Sequence, residues 1–115
     1  MGAERLLLDG RGRVLLPPAL RTAAGLRPAQ PLAIGLGEVE LLVMPAAAPN
    51  GRSSTLDSKG RLTLPAALRA DLGLRKGATL LAQPVAEGLV LVTPARLLGR
   101  LRAARLALQQ RLDEA

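Results

Sequence analysis

Arginines recur at matching places in two halves of this chain, and arginine is the residue type best suited to binding phosphate. Arg13 and Arg61 form one matching pair, Arg21 and Arg69 form another, and 48 residues separate the members of each pair. A guanidinium group presents its N–H donors as a planar fork, which fits phosphate oxygens and the edge of guanine. The spacing therefore indicates a polyanion-binding surface that is encoded twice.

An acidic residue stands four positions before the first arginine of each half. These residues are Asp9 and Asp57, each in a glycine-containing turn. In one interpretation the carboxylates pair with Arg13 and Arg61 and merely hold two hairpins. In the other, the arginines contact a ligand. The sequence leaves both interpretations open for each arginine taken alone.

The two halves repeat one another without a gap. Residues 8–32 and 56–80 share thirteen of twenty-five positions. A unit of about 45 residues rarely closes a core alone, whereas two copies can complete each other. The pattern predicts two ββαββ units in a mainly β fold with short helices. The predicted divisions are a first repeat at 1–46, a linker at 47–53, a second repeat at 54–93 and a C-terminal helix at 94–115.

Turn and cap residues place the elements within each unit. Pro17 and Pro65 are expected at the first position of a short helix, where a missing N–H costs nothing. Gly25 and Gly73 are expected just past its end, where a left-handed residue is favoured. Strands are predicted near 5–9, 13–16, 32–36, 39–44, 61–64, 79–83 and 88–93, with Leu56-Asp57 as the counterpart of the first strand in the second copy.

The last segment predicts a basic amphipathic helix. Thr93 and Pro94 form an expected N-cap and first position, with the helix following over about 95–113. Four leucines and an alanine share one face, and five arginines dominate the remainder. This face is expected to pack on the rest of the chain or on a sister chain, and a specific partner is the alternative. The stripe consists of Leu97, Leu101, Ala104, Leu108 and Leu112.

Composition narrows the function classes. The formal net charge is +7, which favours a polyanionic partner. Histidine and cysteine are absent, so the commonest general base and thiolate metal ligands are missing, and we expect neither an enzyme, a metal site nor a cofactor. No apolar run approaches the roughly 20 residues that span a membrane. We expect a soluble cytoplasmic protein, associated with the nucleoid if it binds DNA.

The repeated motif resembles the signature of the AbrB/MazE/SpoVT family of DNA-binding domains. Its pattern, Asp-x-x-Gly-Arg-x-x-x-Pro-x-x-Leu-Arg-x-x-x-Gly-Leu, occurs at 9–26 and again at 57–74. The resemblance implies a swapped-hairpin barrel, here formed by the two repeats, and a transcription regulator that contacts duplex DNA. It implies DNA contact through arginines on the hairpin loops and helices. The predicted DNA-binding residues are Arg11, Arg13, Arg21, Lys59, Arg61 and Arg69.

Subgroups of that family bear on the C-terminal helix. MraZ-like regulators carry two such repeats that stand farther apart, and this chain is too short to resemble them well. MazE-like antitoxins carry a toxin-binding tail that is usually acidic, whereas residues 94–115 hold five arginines against two acidic residues. We therefore expect a homo-oligomer formed through this helix. An antitoxin-type role with a toxin partner, or a barrel that binds proteins and no DNA, remains the alternative.

The two repeats differ in ways that predict an asymmetric DNA-binding surface. Leu15 stands where the second repeat has Thr63, and Ala29 stands where it has Gly77. Residues 1–46 carry a net charge of +1, against +3 for residues 47–93. We expect Lys59, Arg61 and Arg69 to contribute most. An outward-facing Leu15 also suggests that the C-terminal helix covers its face.

Overall fold

Eight short strands and three helices make up the residues that the structure, a computed structural model, describes: 3–46 and 53–114. The chain is thus mainly β, as predicted. The helices are α1 (Pro18–Ala24), α2 (Ala66–Leu72) and α3 (Pro94–Glu114). The strands are β1 (Glu4–Leu7), β2 (Arg13–Leu15), β3 (Leu32–Leu36), β4 (Glu40–Pro45), β5 (Ser53–Ser54), β6 (Arg61–Thr63), β7 (Thr79–Val85) and β8 (Gly88–Val92).

Most of the strand pairs join one half of the chain to the other. Six strands form an antiparallel sheet in the order β1-β7-β8-β4-β3-β5, and β2 pairs with β6 in a separate two-stranded ribbon. The first strand of each half lies against the other half, because β1 pairs with β7 and β5 pairs with β3. The order reads the same when the halves are exchanged. The described strands form an open sheet and a ribbon, and they do not close into a barrel.

The core is built almost entirely from leucine and valine, since the chain has no aromatic residue. Strand alternation sends Val14 and Leu62 of the ribbon inward, where both are fully buried. Leu16 and Leu64, which follow the ribbon strands, are also fully buried. Each half contributes equivalent residues to one continuous core, so the ribbon is fixed to the sheet by burial of its inner face.

Helices α1 and α2 end as predicted. Gly25 (φ 70°) and Gly73 (φ 65°) adopt the left-handed conformation at the C-cap. The starts differ by one position from the prediction: Pro17 and Pro65 are the N-cap residues, with extended ψ values of 149° and 143°. Proline's fixed φ suits either position, so the motif locates the start of the helix only to within a residue.

Helix α3 begins at Pro94 as predicted, but its side-chain cap does not form. The Leu97 N–H donates to the Thr93 carbonyl at 3.0 Å, whereas the buried Thr93 hydroxyl has no partner among the described residues. Every described residue from Leu98 onward is exposed. The expectation that the stripe packs on the body of the same chain is therefore wrong beyond Leu97.

The expectation that α3 covers the face of Leu15 is also wrong. Its side chain is 57% exposed, so α3 does not cover its face. Helix α3 contacts the body mainly through β7 and the turn before β4, where Arg96 donates to the Glu38 carbonyl. None of the described helices is long and apolar enough to span a membrane. Of the predicted linker, residues 47–52 lie outside the described residues, and Ser53 begins β5.

Candidate nucleic-acid interface

The ribbon formed by β2 and β6 presents two of the predicted arginines on its outer face. Val14 and Leu62 pair with one another and point into the core, so Arg13 and Arg61 project from the opposite side. Arg13 is paired with Thr63, two residues from Arg61, which makes the two arginines diagonal neighbours. Diagonal neighbours in an antiparallel pair lie about 7–8 Å apart. The outer face therefore carries both arginines on neighbouring strands, and each side chain is held by the aspartate of its own hairpin.

Each ribbon strand is preceded by a turn that is organised by one aspartate. Asp9 Oδ1 accepts the backbone N–H groups of Arg11 at 2.8 Å and Arg13 at 2.9 Å, and Asp9 Oδ2 accepts Arg13 Nε at 3.0 Å. Asp57 repeats this arrangement with Lys59 and Arg61, and its Oδ2–Nε distance is 2.6 Å. The pairing of both arginines with aspartate, one of the two interpretations of the sequence, is thus present in the structure.

These hydrogen bonds favour the ionised carboxylates. The backbone N–H of Arg13 is the main cause that lowers the pKa of Asp9, with further contributions from the Arg11 N–H and the Arg13 side chain. The pKa of Asp57 is lowered chiefly by the backbone N–H of Arg61, then by its side chain and by the Lys59 N–H. Partial desolvation opposes the shift at both sites. Both turns therefore hold a negative charge that orients one arginine.

The helix arginines cross to the opposite half. A Cβ atom on Gly12 would lie 2.4 Å from Arg69 Nε, and one on Gly60 would lie 2.7 Å from Arg21 Nε, so each arginine lies directly over the other half's hairpin. Arg69 Nε donates to the Leu64 carbonyl at 3.0 Å, and Arg21 Nε donates to the Leu16 carbonyl at 3.1 Å. Gly12 (φ 77°) and Gly60 (φ 82°) are the residues that allow this close approach.

Backbone hydrogen bonds fix the crossing. The Leu16 N–H donates to the Gly60 carbonyl at 3.0 Å, and the Leu64 N–H donates to the Gly12 carbonyl at 2.8 Å. The start of each helix is therefore tied to the opposite hairpin. Because Leu16 and Leu64 also accept the arginine Nε atoms, one pair of backbone residues positions both side chains.

All four arginines keep donors that no acceptor in residues 3–46 and 53–114 uses. Arg13, Arg21, Arg61 and Arg69 are each partly buried, and among the described residues their guanidinium hydrogen bonds come from Nε alone. A guanidinium group has four further N–H donors on its two terminal nitrogens. The structure thus holds each group by one side and leaves its fork available to a ligand.

The six predicted residues divide into two clusters, and neither cluster belongs to one half alone. Arg11 and Arg13 lie with Arg69 at the first hairpin, and Lys59 and Arg61 lie with Arg21 at the second. We refer to these clusters as the first and second cationic patches. The predicted dominant set of Lys59, Arg61 and Arg69 is therefore split between them, because the halves exchange strands.

Lys76 is a cation that the motif did not select. A Cβ atom on Gly10 would lie 3.5 Å from Lys76 Cδ, which places the lysine stem over the turn of the first patch. The doubled motif could not reveal this contact, since Lys76 has no basic counterpart: the equivalent position is Pro28. Only the strand exchange brings Lys76 to the first hairpin.

The fold and these clusters define a class of protein: an antiparallel β protein with two arginine-bearing hairpins exchanged between its halves. Residues 50–84, just under a third of the chain, match the family described as "MraZ protein, putative antitoxin-like", a family with the AbrB/SpoVT-like swapped-hairpin fold. The predicted resemblance is confirmed at this level for that segment, which spans the second hairpin and α2. The expectation that the chain is too short to resemble MraZ-like regulators well is wrong for this segment. Comparisons with curated proteins and with solved structures found no match.

Proposed function

We propose that the chain is a DNA-binding transcription regulator that carries two tandem AbrB-like repeats and grips duplex DNA with its two cationic patches. The match of residues 50–84 to the MraZ family, a family of DNA-binding regulators, supports this class of function. The exchange-symmetric strand order supports a repeat of the same type at 1–46, outside the matched segment. The observation that carries the proposal is the set of four arginines whose Nε atoms are fixed and whose terminal donors are free of protein acceptors among the described residues.

Phosphate contact explains this geometry better than a purely structural role. Hairpin support requires only the Nε donation to Asp9 or Asp57, and helix positioning requires only the Nε donation to Leu16 or Leu64. The terminal donors match the bidentate geometry of phosphate oxygens and the guanine edge. The net charge of +7 adds a long-range attraction to the same polyanion.

Salt titration of the full chain against a labelled duplex tests this proposal. The four arginine contacts together contribute about −3.6 to the slope of log K against log salt, since each phosphate contact contributes about −0.9. The double variant Arg21→Gln/Arg69→Gln removes two contacts without touching the hairpin aspartates, and we expect its slope to be shallower than the wild-type slope by about 1.8. The matched control is Arg102→Gln/Arg111→Gln on α3, which loses the same charge. Equal slopes for the two variants, or a flat wild-type response, would contradict the proposal.

A second proposed property is self-association through α3. Its leucines at positions 98, 101, 108 and 112 are 47–64% exposed and share one side of the helix, and a contiguous exposed apolar surface marks an interaction site. We expect Leu101→Asp/Leu108→Asp to lower the solution mass, and Arg102→Asp on the same helix to leave it unchanged. A wild-type chain that is monomeric at high concentration would contradict this. An antitoxin-type role is the alternative, and a partner that binds only the leucine face would support it.

A further inference from the structure

The first cationic patch carries one more cation than the second, although the first hairpin belongs to the less basic half. Arg11, Arg13, Arg69 and Lys76 surround the first hairpin, and Lys59, Arg61 and Arg21 surround the second. Each patch contains one aspartate. The first patch is therefore the more positive by one charge, which is opposite in order to the +1 and +3 that the two halves carry along the sequence.

Backbone hydrogen bonds hold Lys76 in this place. The Gly77 N–H donates to the Leu8 carbonyl at 2.7 Å, and the Leu8 N–H donates to the Ala78 carbonyl at 2.9 Å. Leu8 makes both bonds, one through its carbonyl and one through its N–H, and it directly precedes Asp9. The turn that carries Lys76 is therefore attached to the base of the first hairpin. The stem of Lys76 then crosses Gly10, with Cδ at 3.5 Å and Cε at 3.9 Å from the position of a Cβ atom.

Pro28 occupies the equivalent place at the second hairpin. The Ala29 N–H donates to the Leu56 carbonyl at 3.0 Å, which is the counterpart of the bond from Gly77 to Leu8. This turn shares one of the two backbone bonds of its counterpart, and the residue before Ala29 is Pro28, which presents a neutral ring. The two hairpins thus share a backbone framework and differ in one charge at this position.

We propose that Lys76 is a phosphate-contacting residue and that it makes the first patch the stronger DNA-binding side of the molecule. This inference rests on the proposed binding of duplex DNA. An ammonium group on a flexible stem contacts phosphate as a point charge, so it adds affinity without base preference. The protein then binds DNA with unequal strength at its two hairpins. The first hairpin binds more tightly, although it belongs to the half with the lower net charge.

A salt titration on a labelled duplex tests the role of Lys76 in the full chain. We expect Lys76→Ala to reduce the magnitude of the log K against log salt slope by about 1 and to weaken binding to unrelated duplexes equally. Arg111→Ala, which removes one positive charge near the end of α3, is the matched control and should keep the wild-type slope. Lys76→Arg retains the positive charge and should keep the wild-type slope. Circular dichroism melting checks that each variant is folded.

The reverse substitution gives an independent measurement. Pro28→Lys places a lysine at the equivalent site on the second hairpin, and we expect it to steepen the slope by about 1, both in the wild type and beside Lys76→Ala. A wild-type chain without salt-dependent binding overturns the proposed function and this inference together. Salt-dependent wild-type binding with identical slopes for Lys76→Ala and Arg111→Ala overturns the role of Lys76 alone.

Discussion

The two hairpins show how one backbone framework can be given different surfaces by its neighbours. In both, an aspartate accepts two backbone N–H groups and an arginine Nε, and a helix arginine from the opposite half lies over a glycine. The first hairpin also receives Lys76, whereas the second receives Pro28. The charge around a hairpin is therefore set by the half that packs against it as much as by its own sequence.

Some positions are the same in both halves of the repeat, and others differ. The glycine, aspartate and arginine positions hold the turns and the crossing, so they occur in both halves. Outward positions are free to differ, as Leu15 and Thr63 do on the ribbon. The backbone of the two halves is therefore more symmetric than their surface residues, so stability and DNA binding have to be measured separately.

The largest expected effect tests the shared framework. Gly12→Ala places a Cβ at positive φ and against Arg69 Nε, so it strains the backbone and breaks the bond to the Leu64 carbonyl. We expect a loss of about 2–3 kcal/mol in the free energy of unfolding, measured by urea denaturation. Gly60→Ala should cost a similar amount through Arg21.

The control for that prediction is Gly25→Ala, at φ 70°, where the added Cβ meets no atom within 4 Å among the described residues other than its chain neighbours. It carries the backbone strain alone, and we expect a loss of about 1 kcal/mol. If Gly12→Ala and Gly25→Ala cost the same, the packing of Arg69 over the hairpin contributes nothing measurable. If Gly12→Ala and Gly60→Ala differed widely, the two halves would not share one framework.

A smaller effect tests where the halves have diverged. Ala29 has φ 63°, and its counterpart Gly77 has φ 85°, so the same left-handed turn is occupied by alanine in one half and by glycine in the other. We expect Ala29→Gly to raise the free energy of unfolding by about 0.5–1 kcal/mol by relieving this strain. Gly77→Ala should lower it by a similar amount. Destabilisation by Ala29→Gly would show that the strain is absent.

The smallest expected effect is the pH dependence of the aspartate turns, because both carboxylates are close to solvent. The folded-state pKa values of Asp9 and Asp57 are lowered, chiefly by the backbone N–H groups of Arg13 and Arg61, so the folded state binds these protons less tightly than the unfolded state. Their stabilisation is complete above the unfolded-state pKa of about 3.9 and is lost as the pH falls through the lower folded-state values.

Thermal melting between neutral and acidic pH measures this contribution. We expect the melting temperature to fall on acidification, and the fall to be smaller in Asp9→Asn/Asp57→Asn. Asp57→Asn should flatten the curve more than Asp9→Asn, since the Arg61 Nε–Asp57 Oδ2 distance of 2.6 Å is shorter than the 3.0 Å at the first turn. An unchanged pH profile in the double variant would mean that these carboxylates do not stabilise the fold.

Local signals in the sequence predicted most of the elements. Gly25 and Gly73 mark the helix ends because a left-handed residue closes them well, and the strands predicted near 32–36 and 88–93 correspond to β3 and β8. The pairing of Arg13 with Asp9 was one of two open interpretations, because a four-residue spacing across a turn permits the contact without requiring it.

The errors arose where the structure depends on which strands pair. The placement of Arg69 at the first hairpin follows from the exchange of strands between the halves, and no local pattern reports that exchange. The same exchange brings Lys76 to Gly10. A local pattern also could not predict that Leu15 and α3 are exposed. A periodic apolar stripe indicates that a face can be covered, but it does not indicate what covers it.

Site-directed DNA cleavage tests the central claim, that both hairpins contact one duplex, most directly. The chain has no cysteine, so Gly10→Cys and Ser58→Cys each provide a single thiol at equivalent hairpin turns. Each variant would carry an iron chelate that generates hydroxyl radicals, and Gln109→Cys on α3 is the control. The account predicts cleavage of one bound duplex from both hairpin positions and little from position 109. Cleavage that is strongest from position 109, or absent from both hairpins while the duplex remains bound, would contradict it.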